Sequence, residues 1–338
     1  MRRLCIKSKR GLSGKEKEGK SPLFPGFPTI AVCLVIAGLL SPALAFPQAG
    51  GWDRLDWTKA SVAEVRRLLA STGRSEWQEI RLSHSNDPGR HFPPGEASAL
   101  LLAACYSPEV GVIQALLERG NGAEDTGPES PLLFAARFNP NPAMIEALVA
   151  GGAKIGADLG YPTLARPALT YAAQDNPNPE VVARIIAKGG RVNAKVAVLD
   201  SMGLTPLMYA AQYNRNPEVV RELLKAGAKV DLADAMGRTA LILAAENGEN
   251  PEVLGALLAA GAAVNFTSRD YYKVGWTPLM YAASSNSKPL RKIGLLLEAG
   301  ADARPRSAEG KTALEYALAN EAVPRGDPGL ARLARVTP

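Results

Sequence analysis

The chain has few of the residues on which most chemistry depends. Of 338 residues only three are cysteine (Cys5, Cys33, Cys105) and two are histidine (His84, His91), and aromatics make up 6%. With so few thiols a disulfide framework and a cysteine-based metal site are excluded. No Gly-x-Ser-x-Gly elbow occurs, and no phosphate-binding glycine loop followed by Lys-Ser or Lys-Thr. A long apolar run is also missing: the longest, Ile30–Leu40, falls well short of the roughly 20 residues needed to span a bilayer. The formal charge of +6 suggests an acidic partner until it is mapped. Residues 1–28 hold eight Lys/Arg against two Glu, and the remainder carries 31 basic and 31 acidic side chains. The body of the chain is therefore neutral, and nothing in it calls for nucleic acid.

What is present at the start reads as an export signal. A basic stretch leads into Ile30–Leu40, followed by Ser41-Pro42 and the small-x-small site Ala43-Leu44-Ala45. Cleavage after Ala45 is expected, removing Cys5 and Cys33 and leaving Cys105 alone in an exported, periplasmic or secreted protein. The alternative is an uncleaved anchor, which would make the chain a membrane-tethered structural protein.

The rest of the sequence repeats one word. TPLMYAA stands at 205–211 and again at 277–283, and aligned on it are SALLLAA at 98, SPLLFAA at 130, PALTYAA at 167, TALILAA at 239 and TALEYAL at 312. Spacings of 32, 37, 38, 34, 38 and 35 residues identify a repeat protein. Thr205-Pro206 places a capping hydroxyl before a proline at the first helical position, and Leu207, Ala210 and Ala211 form one apolar face. Asn216-Pro217-Glu218 opens a second helix with the stripe Val219, Val220, Leu223, Leu224, which ends at Gly227. Asn141-Pro142, Asn178-Pro179 and Asn250-Pro251 repeat the device, with Ser107-Pro108 as a variant.

Thr-Pro-Leu-x-x-Ala-Ala, the core Glu-Val-Val-x-x-Leu-Leu, and the exits GGRVN (189–193), GAKVD (227–231) and GAAVN (261–265) resemble the ankyrin repeat family. The resemblance implies an all-α repeat solenoid of stacked helix-turn-helix units with β-hairpin fingers. It divides the chain into the signal at 1–45, a degenerate capping unit and long loop at 46–97, about six repeats and a partial unit at 98–320, and a C-terminal cap at 321–338, where LARLAR (330–335) is the only candidate capping turn. The histidine that the family places after Thr-Pro-Leu is Leu133, Thr170, Met208, Ile242, Met280 or Glu315 here, so its hydrogen bonding is expected to be absent. The turn between the helices is about one residue longer than the family pattern.

The resemblance further implies a noncatalytic scaffold for a protein partner, monomeric, without a cofactor and without a membrane role beyond the signal segment. Phe134, Tyr171, Tyr209, Tyr281 and Tyr316 recur in register and read as the solenoid's own packing. Tyr106, Phe138 and Tyr213, two places after the Ala-Ala pair, and the finger residues Leu199, Met202, Tyr271, Tyr272 and Trp276 break register. Stacking does not require them, which makes them the candidate partner contacts. The fingers 189–205 and 261–277 are the longest, each four residues beyond 227–239. His84, Asp87 and His91 could form a metal set in the loop 74–96, the basis of an enzyme reading, but the prolines and glycines around them offer no supporting scaffold. Cys105 reads as a packed thiol.

Overall fold

A computed structural model describes residues 52, 55–71, 98–118, 130–155, 166–196 and 202–337. The signal segment, the 74–96 loop with His84, Asp87 and His91, and Leu199 lie outside the described residues. Among the described residues the degenerate first unit contributes one helix, α1 (Val62–Ser71). Seven pairs follow: α2 (Ala99–Tyr106) with α3 (Val110–Glu118), α4 (Pro131–Phe138) with α5 (Pro142–Ala150), α6 (Ala168–Asp175) with α7 (Pro179–Ala187), α8 (Pro206–Tyr213) with α9 (Pro217–Lys225), α10 (Ala240–Asn247) with α11 (Pro251–Ala259), α12 (Pro278–Ser284) with α13 (Pro289–Glu298), and α14 (Ala313–Ala319) with α15 (Pro328–Val336). First helices pack on first helices from α2 to α14, and second helices on second helices from α1 to α15. This is an all-α repeat solenoid with two layers.

The repeated word explains the first layer. Thr205, Thr239, Thr277 and Thr312 each accept a hydrogen bond from the amide three residues on. Each Ala-Ala pair from 103 to 283 is buried between neighbouring first helices, where any larger side chain would hold the backbones apart. In the last first helix the second alanine becomes Leu318, 47% exposed, since among the described residues no first helix packs beyond α14. The residue in the family's histidine position keeps a capping role in two repeats, contrary to expectation. Met208 Sδ accepts from the Thr205 amide at 3.3 Å, and Glu315 Oε2 from the Thr312 amide at 2.6 Å. In the repeat at 167 the N-cap is Pro167, which has no N–H, and Thr170 Oγ1 is buried without a partner among the described residues.

The longer turn between helices has a physical purpose. Its spelling Asn-x-Asn-Pro builds two ladders of amide side chains that join successive units. The first asparagine is buried and donates twice to the preceding unit: Asn214 Nδ2 to Ala173 O (3.0 Å) and Asn176 O (2.9 Å), Asn176 to Ala136 O and Asn139 O, Asn139 to Ala104 O and Ser107 O. Its Oδ1 accepts from the amide of the second asparagine, as Asn214 does from Asn216 at 2.9 Å. The second caps the next helix through Oδ1 and donates to the preceding unit through Nδ2, as in Asn216 to Pro177 O (2.7 Å) and Asn250 to Arg215 O (2.7 Å). A third ladder joins the unit exits. Asn193, Asp231 and Asn265 accept from the amides of Lys229, Ala263 and Asp302.

Two rungs differ. Gly248 replaces the first asparagine after α10, and a Cβ there would lie 2.6 Å from Ala244 O. In the following unit α12 ends one residue early, leaving Asn286 exposed and Ser285 buried. The donor to the α10 carbonyl is Lys292 instead: fully buried, it gives hydrogen bonds to Ala245 O and Ser285 Oγ, both 3.0 Å. Burial pulls its pKa from 10.5 down to about 8, against the opposing pull of Glu246.

The fingers contain no strand among the described residues. The expected β-hairpin reduces to a single bridge, Ala233 with Thr239, because each finger spends its amides on its own turn and on its neighbour. Asp234 donates to Arg238 O, Ala235 to Met202 O and Arg269 to Met236 O. Gly237 must be glycine at φ +69°, since a Cβ would meet the Arg269 amide at 3.0 Å. The C-terminus also differs from expectation: the last unit is complete. Asp327-Pro328 starts α15 with Asp327 accepting from Gly329 N at 2.7 Å, and Leu330 and Leu333 bury its apolar stripe.

Candidate functional site

The contact residues proposed from register fall into two separate groups. On the first-helix layer, Phe138 at the end of α4 is half-buried, 5.9 Å from the Phe134 ring, with the Arg137 guanidinium 4.8 Å above it. Tyr213 at the end of α8 is 53% exposed and stacks on Tyr209 at 6.3 Å. Between them α6 presents Tyr171, Gln174 and Asp175. Arg137 pairs with Asp175, and its guanidinium also lies 5.8 Å from Tyr171. Arg166, just before α6, stacks between Tyr171 and Tyr209, 4.9 Å from each ring. The row thus runs Phe138, Phe134, Arg137, Tyr171, Arg166, Tyr209, Tyr213. A recess of about 40 Å³ opens among Leu133, Phe134, Arg137 and Tyr171. A wider groove of about 470 Å³ lies among Gln174, Asp175, Pro177, Tyr213, Arg215 and Asn216. Tyr106, at the same repeat position, packs half-buried against the core at the end of α2.

The second group belongs to the finger before α12. Tyr271 and Tyr272 are 83% and 84% exposed, in edge-to-face contact at 5.1 Å. The backbone beneath them is held: Ser268 N donates to Trp276 O, Gly275 N to Ser268 O, and Tyr272 N to Asp270 Oδ1, each at 3.0 Å. Lys273 adds an ion pair to Glu246 of α10, its ammonium 5.2 Å from the Trp276 ring and 4.7 Å from the Tyr281 ring. Trp276 is a correction. Only 7% exposed, it packs on Tyr281 (5.3 Å) and on Tyr316 of the next unit (4.3 Å), so it joins units and is no surface contact. Below it Tyr281 donates to Ser268 Oγ at 3.1 Å, and burial pushes its hydroxyl up to about 12. Met202, in the finger 189–205, is 40% exposed with φ +49°, its carbonyl taken by Ala235 N of the finger between.

Register reasoning missed Phe134, Arg137, Tyr171 and Arg166. Register assigns the in-register aromatics wholly to packing, yet Phe134 and Tyr171 are half-buried, and Tyr171 faces both arginines. The available signal was an arginine immediately after one Ala-Ala pair and another immediately before Pro167. Cys105 is buried. Among the described residues no group of three or more His, Cys, Asp or Glu is placed to hold a metal ion, and no helix is long and apolar enough to cross a membrane.

Comparison with known proteins agrees with this geometry. The model of the ankyrin repeats family matches residues 169–268 and 241–324. The crystal structure of the human ASB11 ankyrin repeat domain superposes with a TM-score of 0.57 at 20% identity, covering 71% of this chain and 97% of that one. No curated protein sequence matches.

Proposed function

We propose that this ankyrin repeat protein is a noncatalytic scaffold that binds a protein partner through its first-helix row and its fingers. The observation that carries the reading is the pinned finger at 261–277. Two large aromatic side chains stand in solvent on a backbone already fixed by the Lys273–Glu246 pair and the Ser268–Trp276 closure. Ordering the extra residues of this finger costs about 1–2 kcal/mol each in backbone entropy, and the stack does not need the two tyrosines. A preorganised aromatic pair is the kind of surface that contributes most to an interface, because little freedom remains to be lost on binding.

The test is affinity capture from the cell envelope with the chain as bait, beside a Tyr271→Ala, Tyr272→Ala bait. A protein held by the first and lost by the second, with affinity lowered by about 2 kcal/mol or more, supports the reading. Equal capture by both refutes it. We propose further that residues 1–45 export the chain, supported by the basic stretch, the short apolar run and Ala43-Leu44-Ala45. N-terminal sequencing of the exported protein should begin at Phe46; an intact N-terminus would favour the tethered form.

A further inference from the structure

We infer that the Tyr171–Arg166–Tyr209 stack receives a carboxylate side chain from an extended segment of the partner, with an apolar neighbour of that acid seated in the recess beside Phe134. This rests on the scaffold reading and specifies the chemistry of its partner. The two arginines of the row are not equivalent. Arg137 is neutralised by Asp175. Arg166 donates to Gln174 Oε1 at 2.6 Å, and no carboxylate among the described residues lies within ion-pair distance of it. Its guanidinium carbon lies 4.9 Å from the centroids of both rings, and the guanidinium also hydrogen-bonds the Tyr209 hydroxyl. A guanidinium carries more N–H donors than its contacts to Gln174 and Tyr209 use, and the remaining ones can meet a carboxylate. The half-buried setting strengthens such a pair relative to one in open water.

The surroundings argue for a polypeptide. The recess of about 40 Å³ bounded by Leu133, Phe134, Arg137 and Tyr171 accepts a small branched or methyl-bearing group next to the anion. In the other direction a groove of about 470 Å³ opens at the C-terminal ends of α6 and α8 and the turns that follow them. A free anion would use neither. Asp175 is already occupied by Arg137, so it does not repel an incoming acid as a bare carboxylate would.

The experiment is selection of a phage-displayed library of random peptides, roughly 12 residues long, on the full chain and in parallel on Arg166→Gln. Peptides retained by the wild-type chain should be enriched in Asp or Glu beside an aromatic or branched residue. Those retained by Arg166→Gln should keep the apolar residue and lose the acid. The best acidic peptide, resynthesised, should bind Arg166→Gln about 10-fold more weakly, and its glutamine counterpart should bind both chains alike. If Arg166→Gln melts early, Arg166→Lys takes its place; it keeps a cation and loses the planar fork, and should lose most of the preference for acid. Absence of acid enrichment on the wild-type chain, or enrichment undiminished in the variant, overturns the inference. Apolar peptides retained equally by both chains would overturn it while leaving the scaffold reading in place, and a wild-type chain that retains no peptide would overturn both.

Discussion

Lys292 should make the stability of this protein rise with pH through the mildly alkaline range, and Lys292→Met should remove that rise. The ammonium is fully buried, and its pKa falls from 10.5 to about 8 because burial penalises the charged form. A group whose folded pKa is depressed in this way holds fewer protons in the native state than in the unfolded chain between the two values. Stability therefore increases with pH across that window. The linkage integral between about pH 7 and about pH 9.5 comes to about 2 kcal/mol in favour of the native state. At neutral pH the variant should be nearly as stable as the parent. Removing the desolvated charge gains about 3 kcal/mol, while Ala245 O loses its ammonium donor and Ser285 Oγ keeps only the Ser287 amide, at a cost of about 1–3 kcal/mol. Urea unfolding of both proteins at both pH values isolates the effect, since all other titrations cancel in the difference. A wild-type pH response matching that of the variant within about 0.5 kcal/mol would refute the claim of a desolvated rung. A stability that falls with pH in the wild type alone would show the two hydrogen bonds outweighing desolvation.

Asn214→Ala should cost about 3 kcal/mol in urea unfolding, since it removes two donated bonds and one accepted bond and leaves buried carbonyls unpaired. Gly248→Asn, which would restore the ladder spelling, should instead destabilise by about 1–3 kcal/mol, because its Cβ would collide with Ala244 O; a gain in the melting temperature would contradict this. Trp276→Ala should lower stability by about 3–5 kcal/mol through the cavity left between Tyr281 and Tyr316. Tyr271→Ala with Tyr272→Ala should change it by no more than about 0.5 kcal/mol, and the same denaturant series compares the two.

Much of the fold was legible because each unit carries its signals locally. Thr-Pro and Asn-Pro mark helix starts, Ala-Ala marks the close contact between first helices, and the glycine after each second helix marks its end. These choices act over a few residues and agree from unit to unit. The last helix reads from sequence only as a capping turn at 330–335, because Asp327-Pro328-Gly329 departs from the Asn-Pro spelling and follows a longer connection, although its cap works in the same way. Partner contacts were harder to read. Register separates residues that the stack needs from those it does not, but Trp276 breaks register and is still buried, since its finger folds back on Tyr281 and on Tyr316 of the next unit.

By itself the sequence determined the repeat, the two helices of each unit, their order and the expectation of a binding role, because periodicity and capping are properties of short stretches. Only the tertiary structure decided which side chains meet across units. Lys292 supplying the donor to Ala245 O, Asn214 spanning to Ala173 and Asn176, and Arg166 fixed between Tyr171 and Tyr209 all join residues that are distant in the chain. Such pairings depend on the turn and stack of successive units, where one helix ending a residue early, as α12 does, exchanges the residue that fills a rung.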